Sequence, residues 1–219
     1  MKKKYFWPGL VVVILVLGYF MVRGLQKPEY TEITDGPHLQ GNPESSVVLV
    51  EYSDFQCPAC ASAMLMVKRL LEDYGDKIRF EYRNFPLTSS HRYAYRAAEA
   101  AECAADQGKF WEYHDQLFIN QDHLGNKDLL LYAGETEDLD VELWQDCFAS
   151  RAKSKRVKED LDEALKRGYS FTPTFLLNGQ IIASWSEVPD KVKGLVEPMI
   201  PLQNATSSQS YFGNVKFSS

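Results

Sequence analysis

Two hydrophobic periods run along this chain, and the switches between them lay out its elements. Val47-Val48-Leu49-Val50 is a short β-branched run of the kind that fills a buried strand, and residues 78–82 alternate like a second strand. Between them, residues 58–74 set Met64, Val67, Leu71 and Tyr74 at helical spacing, with Gly75 placed to end the helix. The predicted order is strand, helix, strand. A long helical stretch follows, opened by Ser89 or Ser90 and carried by Ala94, Ala97, Ala98 and Ala101 to Gly108. Phe110, His114, Leu117 and Phe118 share the face of a further helix, and others are predicted from Asn126, over 140–149 and over 152–167. Strands return at 174–177 and 180–185 around Asn178-Gly179, a dipeptide suited to a two-residue hairpin, and a last helix is predicted over 189–199.

The N-terminus departs from this pattern. Lys2, Lys3 and Lys4 precede eighteen uncharged, mostly apolar residues from Tyr5 to Val22. At about 1.5 Å per residue such a helix is roughly 27 Å long, close to the ~30 Å hydrocarbon thickness of a bilayer. Residues 5–22 are therefore predicted to be a single transmembrane signal anchor, with residues 1–4 a cytoplasmic stub. A cleaved signal peptide is the alternative, which would leave the domain secreted or periplasmic. It is disfavoured because Tyr19 to Arg23 is bulky where a peptidase needs small residues. Residues 23–46 hold Pro28, Gly36, Pro37, Gly41 and Pro43 and read as an extracytoplasmic linker. The folded domain is then expected over 47–200, with its helical insertion at about 89–168, and residues 201–219 form a polar tail.

Composition narrows the function classes. With 45% hydrophobic and 25% charged residues in 219, the chain is neither disordered nor polytopic. Lys+Arg 24 against Asp+Glu 30 gives a net charge of -6, which argues against a nucleic-acid-binding surface. Four cysteines are too few for a disulfide scaffold, so each is read by its position.

Cys57-Pro58-Ala59-Cys60 stands just after a buried strand and at the first turn of a helix. Proline suits the first helical position, which puts Cys57 at or near the cap. There, unpaired backbone N–H groups and the positive end of the helix dipole stabilise a thiolate. Cys60 lies one turn deeper, as a resolving thiol. Three other readings compete: a zinc knuckle, an inert short disulfide, and chance. Zinc is disfavoured because Cys103 and Cys147 stand alone, without a second C-x-x-C or a nearby histidine, so no metal or cofactor is expected. Glu51 interrupts an apolar strand, and its carboxylate must either face solvent at the strand end or sit buried with a raised pKa. Pro173 precedes an apolar strand, where proline is tolerated, and nothing local decides its isomer.

These residues resemble the DsbA-like thiol:disulfide oxidoreductases, α/β proteins of thioredoxin-like fold with an inserted helical subdomain. The resemblance spans residues 47–199 and rests on the run from Val50 to Cys60, on Glu102-Cys103-Ala104 with Gln107-Gly108-Lys109-Phe110-Trp111, and on Thr172-Pro173-Thr174-Phe175. It is nearest to the membrane-tethered, extracytoplasmic members. It implies that Pro173 is a cis-proline packed beside the active sulfurs, that the Thr172 backbone pairs with an extended substrate, and that Glu51 is a buried acid moving protons for the resolving cysteine. It also implies reduced, unfolded extracytoplasmic proteins as partners, oxidised through a mixed disulfide on Cys57, and a quinone-linked membrane oxidase that restores the Cys57–Cys60 disulfide. A reductase or isomerase of the same fold, and a redox-inactive chaperone or binding module, remain as alternatives. The Pro-Ala pair lacks the histidine of the strongest oxidants, and Asp54 nearby opposes a thiolate, so a milder oxidant is predicted.

Cys103 and Cys147 fall on two helices of the insertion. In an oxidising compartment a structural disulfide is the preferred reading, against two buried free thiols. His38, His91, His114 and His123 show no ligand spacing, and His114 reads as a packed structural residue. Trp111, Trp144 and Trp185 read as core. Lys153, Lys155, Arg156 and Lys158 are followed by Glu159, Asp160, Asp162 and Glu163, which reads as a solvated, ion-paired helix face. Asn204-Ala205-Thr206 fits a glycosylation sequon and is assigned no role.

Overall fold

The computed structural model describes residues 13–19 and 36–197. Residues 13–19 are helical, and among the described residues no helix is long and apolar enough to cross a membrane. The rest of the expected anchor, the lysine stub, the tail over 201–219 and the sequon lie outside the described residues.

Five strands form one mixed sheet in the order β1-β3-β2-β4-β5. They are β1 (His38–Gly41), β2 (Val48–Ser53), β3 (Arg79–Asn84), β4 (Thr174–Leu177) and β5 (Gln180–Ile182). Strands β2 and β3 pair in parallel, with Glu51 opposite Tyr82, and helix α1 (Pro58–Tyr74) makes the crossover between them. Strands β4 and β5 form the expected hairpin, in which Asn178 and Gly179 both take positive φ. Between β3 and β4 lies the helical insertion: α2 (Ala94–Ala105), α3 (Phe110–Ile119), α4 (Asn126–Glu135), α5 (Val141–Ser150) and α6 (Ser154–Lys166). Helix α7 (Val188–Val196) follows a short turn at Trp185–Glu187.

The two-residue period of β2 divides the core. Val50 and Tyr52 face a cluster with Leu176 and Ala164 of α6, whereas Leu49 joins the larger core of α1, α3 and the insertion. Glu51 sits between Leu49 and Ser53 on that second face, so a carboxylate enters the main core. A disulfide joins Cys103 of α2 to Cys147 of α5 with Cα atoms 5.8 Å apart, as the sequence reading preferred.

Several boundaries differ from expectation. The linker expected over 23–46 already contains β1, which pairs antiparallel with β3. His-Leu-Gln-Gly carries one aliphatic residue, so no alternation announced it, and pairing rather than pattern makes it a strand. The long helix begins at Ala94, not at Ser89 or Ser90, because the side chains of Asp54 and Gln56 accept from Leu87 N and Tyr93 N and hold the preceding loop out of helix. The strand over 180–185 stops at Ile182, where Ser184 caps a short 3-10 turn. The basic run is only partly a solvated face. Lys155 and Lys158 are exposed, but Lys153 is fully buried against Asp106 and Arg156 is buried against Asp160. Trp144 is core, donating to Ala100 O, while Trp111 and Trp185 are only half-buried at its margin.

Candidate active site

Strand β2 ends at Ser53 and the chain turns through Asp54 and Phe55 into α1. Cys57 is the cap residue of α1 in extended conformation, and Pro58 occupies the first turn. Cys60 N donates to Cys57 O at 3.0 Å and closes that turn. Phe55 is buried among Tyr82, His114 and Phe118 and anchors the loop. The Asp54 carboxylate accepts from Gln56 N, Leu87 N and His91, so it is spent on holding loops together.

Both thiols are present as free cysteines, with Cys57 7% exposed and Cys60 fully buried. The Cys57 thiol is lowered from 9.0 to about 5, chiefly by a hydrogen bond from the Cys60 thiol, with the Thr172 side chain and the N–H groups of Cys60 and Ala59 adding to it and burial opposing. The Thr172 hydroxyl is buried without another partner, which leaves it available to the sulfur. Cys60 is pushed well above the ordinary range by burial, by its bond to Cys57 and by the charge of Glu51. The two sulfurs thus separate into one thiolate and one thiol at neutral pH.

The Thr172–Pro173 peptide is cis, and as a protonated thiol Cys57 donates to Thr172 O at 3.4 Å. Glu51 resolves to the buried alternative: it is 3% exposed, accepts from Ser53 Oγ at 2.7 Å, and burial pushes its pKa up to about 8. Cys103 and Cys147 lie apart in the insertion, as a structural bond.

Two contributors were missed. Ser53 bonds the acid from two residues along the same strand face, a spacing that alternation alone could have flagged. Gln121, after α3, donates from its amide to Phe55 O and Cys57 O at 2.8 and 2.9 Å and so ties the insertion to the active-site turn. It is 64 positions from Cys57, and no local signal points to it.

Comparison with known proteins agrees with this geometry. The sequence model of the family described as thioredoxin matches residues 33–197. The chain belongs to this thioredoxin family. Among solved structures it is similar to a thioredoxin-like oxidoreductase from Silicibacter pomeroyi, at 28% identity and a TM-score of 0.64 over 73% of this chain and 91% of that one. It shares its fold with oxidised BdbD from Bacillus subtilis, at 21% identity and a TM-score of 0.64 over 76% and 99% of the two chains. MdbA, a thiol-disulfide oxidoreductase from Corynebacterium diphtheriae, is alike at 18% identity and a TM-score of 0.61 over 77% and 97%. A curated relative from Salinispora tropica, named as a Na(+)/H(+) antiporter NhaA, is 47% identical over 146 residues. This chain spans only 22% of that relative's length, and the transport in its name is that protein's own. The thioredoxin-family fold here carries a thiolate–thiol pair at a helix cap, an arrangement chemically suited to disulfide exchange.

Proposed function

We propose that this protein works in the oxidising direction, donating the Cys57–Cys60 disulfide to reduced, unfolded proteins outside the cytoplasm. The observation that carries the reading is the set of donors around Cys57. The Cys60 thiol, the Thr172 side chain and two backbone N–H groups all favour the thiolate, which exists only in the reduced enzyme. Stabilising the reduced form raises the reduction potential and makes the disulfide an oxidant.

In the reaction, a substrate thiolate attacks the Cys57 sulfur and a new S–S bond forms there. The Cys57–Cys60 bond breaks and its electron pair leaves on Cys60, which takes up a proton as a buried thiol. The substrate's second thiolate then attacks its own sulfur in the mixed disulfide, and Cys57 departs as a thiolate. The substrate dithiol loses two electrons and the enzyme disulfide gains them. An extended substrate segment would pair with the backbone at Thr172 beside cis-Pro173.

The apolar segment over 5–22 behind three lysines supports a plasma-membrane anchor with the N-terminus cytoplasmic and the catalytic domain outside. Cleavage of that segment would instead leave a secreted or periplasmic enzyme. A quinone-linked membrane oxidase is the proposed acceptor of the electrons held by the reduced enzyme. Because the Pro-Ala pair brings no histidine to the thiolate, the potential should lie below that of the strongest oxidants.

Equilibration of the Cys57–Cys60 pair with glutathione redox buffers tests the direction. A potential less reducing than about -200 mV supports an oxidase, and one near the about -270 mV of thioredoxin overturns it in favour of a reductase. Oxidised protein should also restore activity to reduced, unfolded ribonuclease in stoichiometric amounts, and efficient reduction of insulin by the reduced form would contradict the reading.

A further inference from the structure

The reaction leaves one proton account open. Cys60 has no exposed surface, and its immediate acid, Glu51, is buried too. A proton delivered from Glu51 to the departing Cys60 must be replaced from solvent before another turnover, and a carboxyl only 3% exposed meets solvent chiefly through the space it lines.

A cavity of about 20 Å³ lies against Glu51, between α1, α3 and the sheet. That is enough for one water molecule. His114, Asp115 and Lys68 line the same space. His114 is 5% exposed, and its Nδ1 lies 3.1 Å from Asp115 Oδ1. The second Asp115 oxygen accepts from Lys68 Nζ. The side chains grade outward, from buried His114 through Asp115 at 29% exposure to Lys68 at 47%. A path of titratable groups therefore runs from Glu51 across a water-sized space to the surface.

His114 is an expensive residue to keep in that place as packing alone. Its ring is enclosed by Phe55, Tyr82, Phe110, Trp111 and Phe118, all within 6 Å between centroids. An apolar ring would fill the same space without a buried imidazole to solvate.

We infer that His114 relays protons between solvent and Glu51, through a water in this cavity, with Asp115 and Lys68 as the outer station. With Nδ1–H donated to Asp115, Nε2 is left as the acceptor that can face the cavity water. When Cys60 leaves as a thiolate it takes the Glu51 proton. The Glu51 carboxylate recovers one from the water as the water takes the Nε2 proton of the imidazole in its other tautomer, and Nδ1 is reprotonated from solvent at Asp115, which leaves the Nδ1–H form. No electron moves in these steps, and the reverse sequence serves oxidation of the dithiol.

The charged and titratable groups facing His114 are Asp115 on its own helix, Lys68 on α1, His38 on β1, Glu51 on β2 and Tyr82 on β3, whose phenol burial holds protonated. Burial lowers the imidazole's pKa, Lys68 and His38 lower it further, and Asp115 opposes them. The imidazole is thus neutral near pH 7 and able to take and pass a proton without holding it.

The relay serves disulfide exchange in either direction, so its test is separable from the direction of the enzyme. The oxidised full-length chain would be reduced by excess dithiothreitol, with the Cys60-releasing step followed by rapid trapping across pH and the Cys57 ionisation read separately from thiolate absorbance. In His114→Phe that step should slow by about tenfold or more, less than the roughly 10²–10⁴-fold of a direct acid or base because Glu51 remains, and its pH profile should change while Cys57 titrates as before. Asp115→Asn, at a partly exposed position, should slow the same step without emptying the cavity wall and stands in if His114→Phe does not fold. Wild-type rates and profile in either folded variant overturn the relay. So does a slowing matched by an equal displacement of the Cys57 titration, since His114 would then act only on structure. Failure of the wild-type chain to exchange at all would instead defeat the oxidoreductase activity itself.

Discussion

Replacing Cys60 isolates the largest cause of the Cys57 thiolate. In the reduced protein the Cys60 thiol donates to the Cys57 sulfur, and this bond leads the contributions that bring Cys57 to about 5. A hydrogen bond to a charged acceptor is worth about 1.5–3 kcal/mol, and at about 1.4 kcal/mol per pH unit its loss moves an ionisation by roughly one to two units. Cys60→Ala should therefore titrate at roughly 6 to 7, still below a free thiol because Thr172 and the N–H groups of Ala59 and Cys60 remain. Cys60→Ser keeps a donor in place and should stay nearer the wild-type value. Thiolate absorbance against pH, checked by the alkylation rate of the single remaining active thiol, reads both variants. A Cys60→Ala protein with an unmoved ionisation would refute the assignment of that bond. One titrating at about 8.5 like a free cysteine would refute the contribution of the cap and Thr172 as well.

Glu51 carries its own pH signature. Its folded pKa of about 8 lies above the ordinary 4.5, so between these values the folded state holds a proton that the unfolded state releases, and its contribution to stability falls as pH rises through this window. Glu51→Gln should abolish that fall, and its advantage over wild type in urea denaturation of the oxidised protein should grow from about pH 5 to pH 8 by several kcal/mol, on the order of 1.4 kcal/mol per unit. A constant difference between the two proteins across that range would contradict the buried, protonated acid. The Cys103–Cys147 bond closes a separation of 44 residues, for which chain entropy gives about 4 kcal/mol. The double alanine variant should lose about that much stability while its Cys57–Cys60 potential stays at the wild-type value, and a moved potential would show the insertion bond to be coupled to the active site.

Much of the active site was legible because its chemistry is local. A proline between two cysteines after a β-branched run specifies a helix cap, and the cap supplies its own N–H donors to whatever sulfur sits there. The hairpin at Asn178-Gly179 and the apolar periods of α1 and α3 are local in the same sense. Glu51 shows the boundary of that reasoning. Alternation places its side chain on the face shared with Leu49, but whether that face met solvent or core depended on α1 folding over it. Strand β1 passed unnoticed for the complementary reason, since an edge strand with one aliphatic residue is defined by its partner β3 rather than by its own pattern. Lys153 and Arg156 looked solvated until the fold supplied Asp106 and Asp160 as buried partners.

The sequence by itself determined the sulfur pair and its helix, because these follow from neighbours within a few residues, whereas the isomer of Pro173 and the joining of Cys103 to Cys147 needed the fold. Only tertiary structure decided that Glu51 is buried, that Gln121 grips the Cys57 turn and that His114 shares a cavity with the acid. Those facts come from segments far apart in the chain meeting across a packed core, where burial and distance, not residue type, set which proton and which charge are favoured.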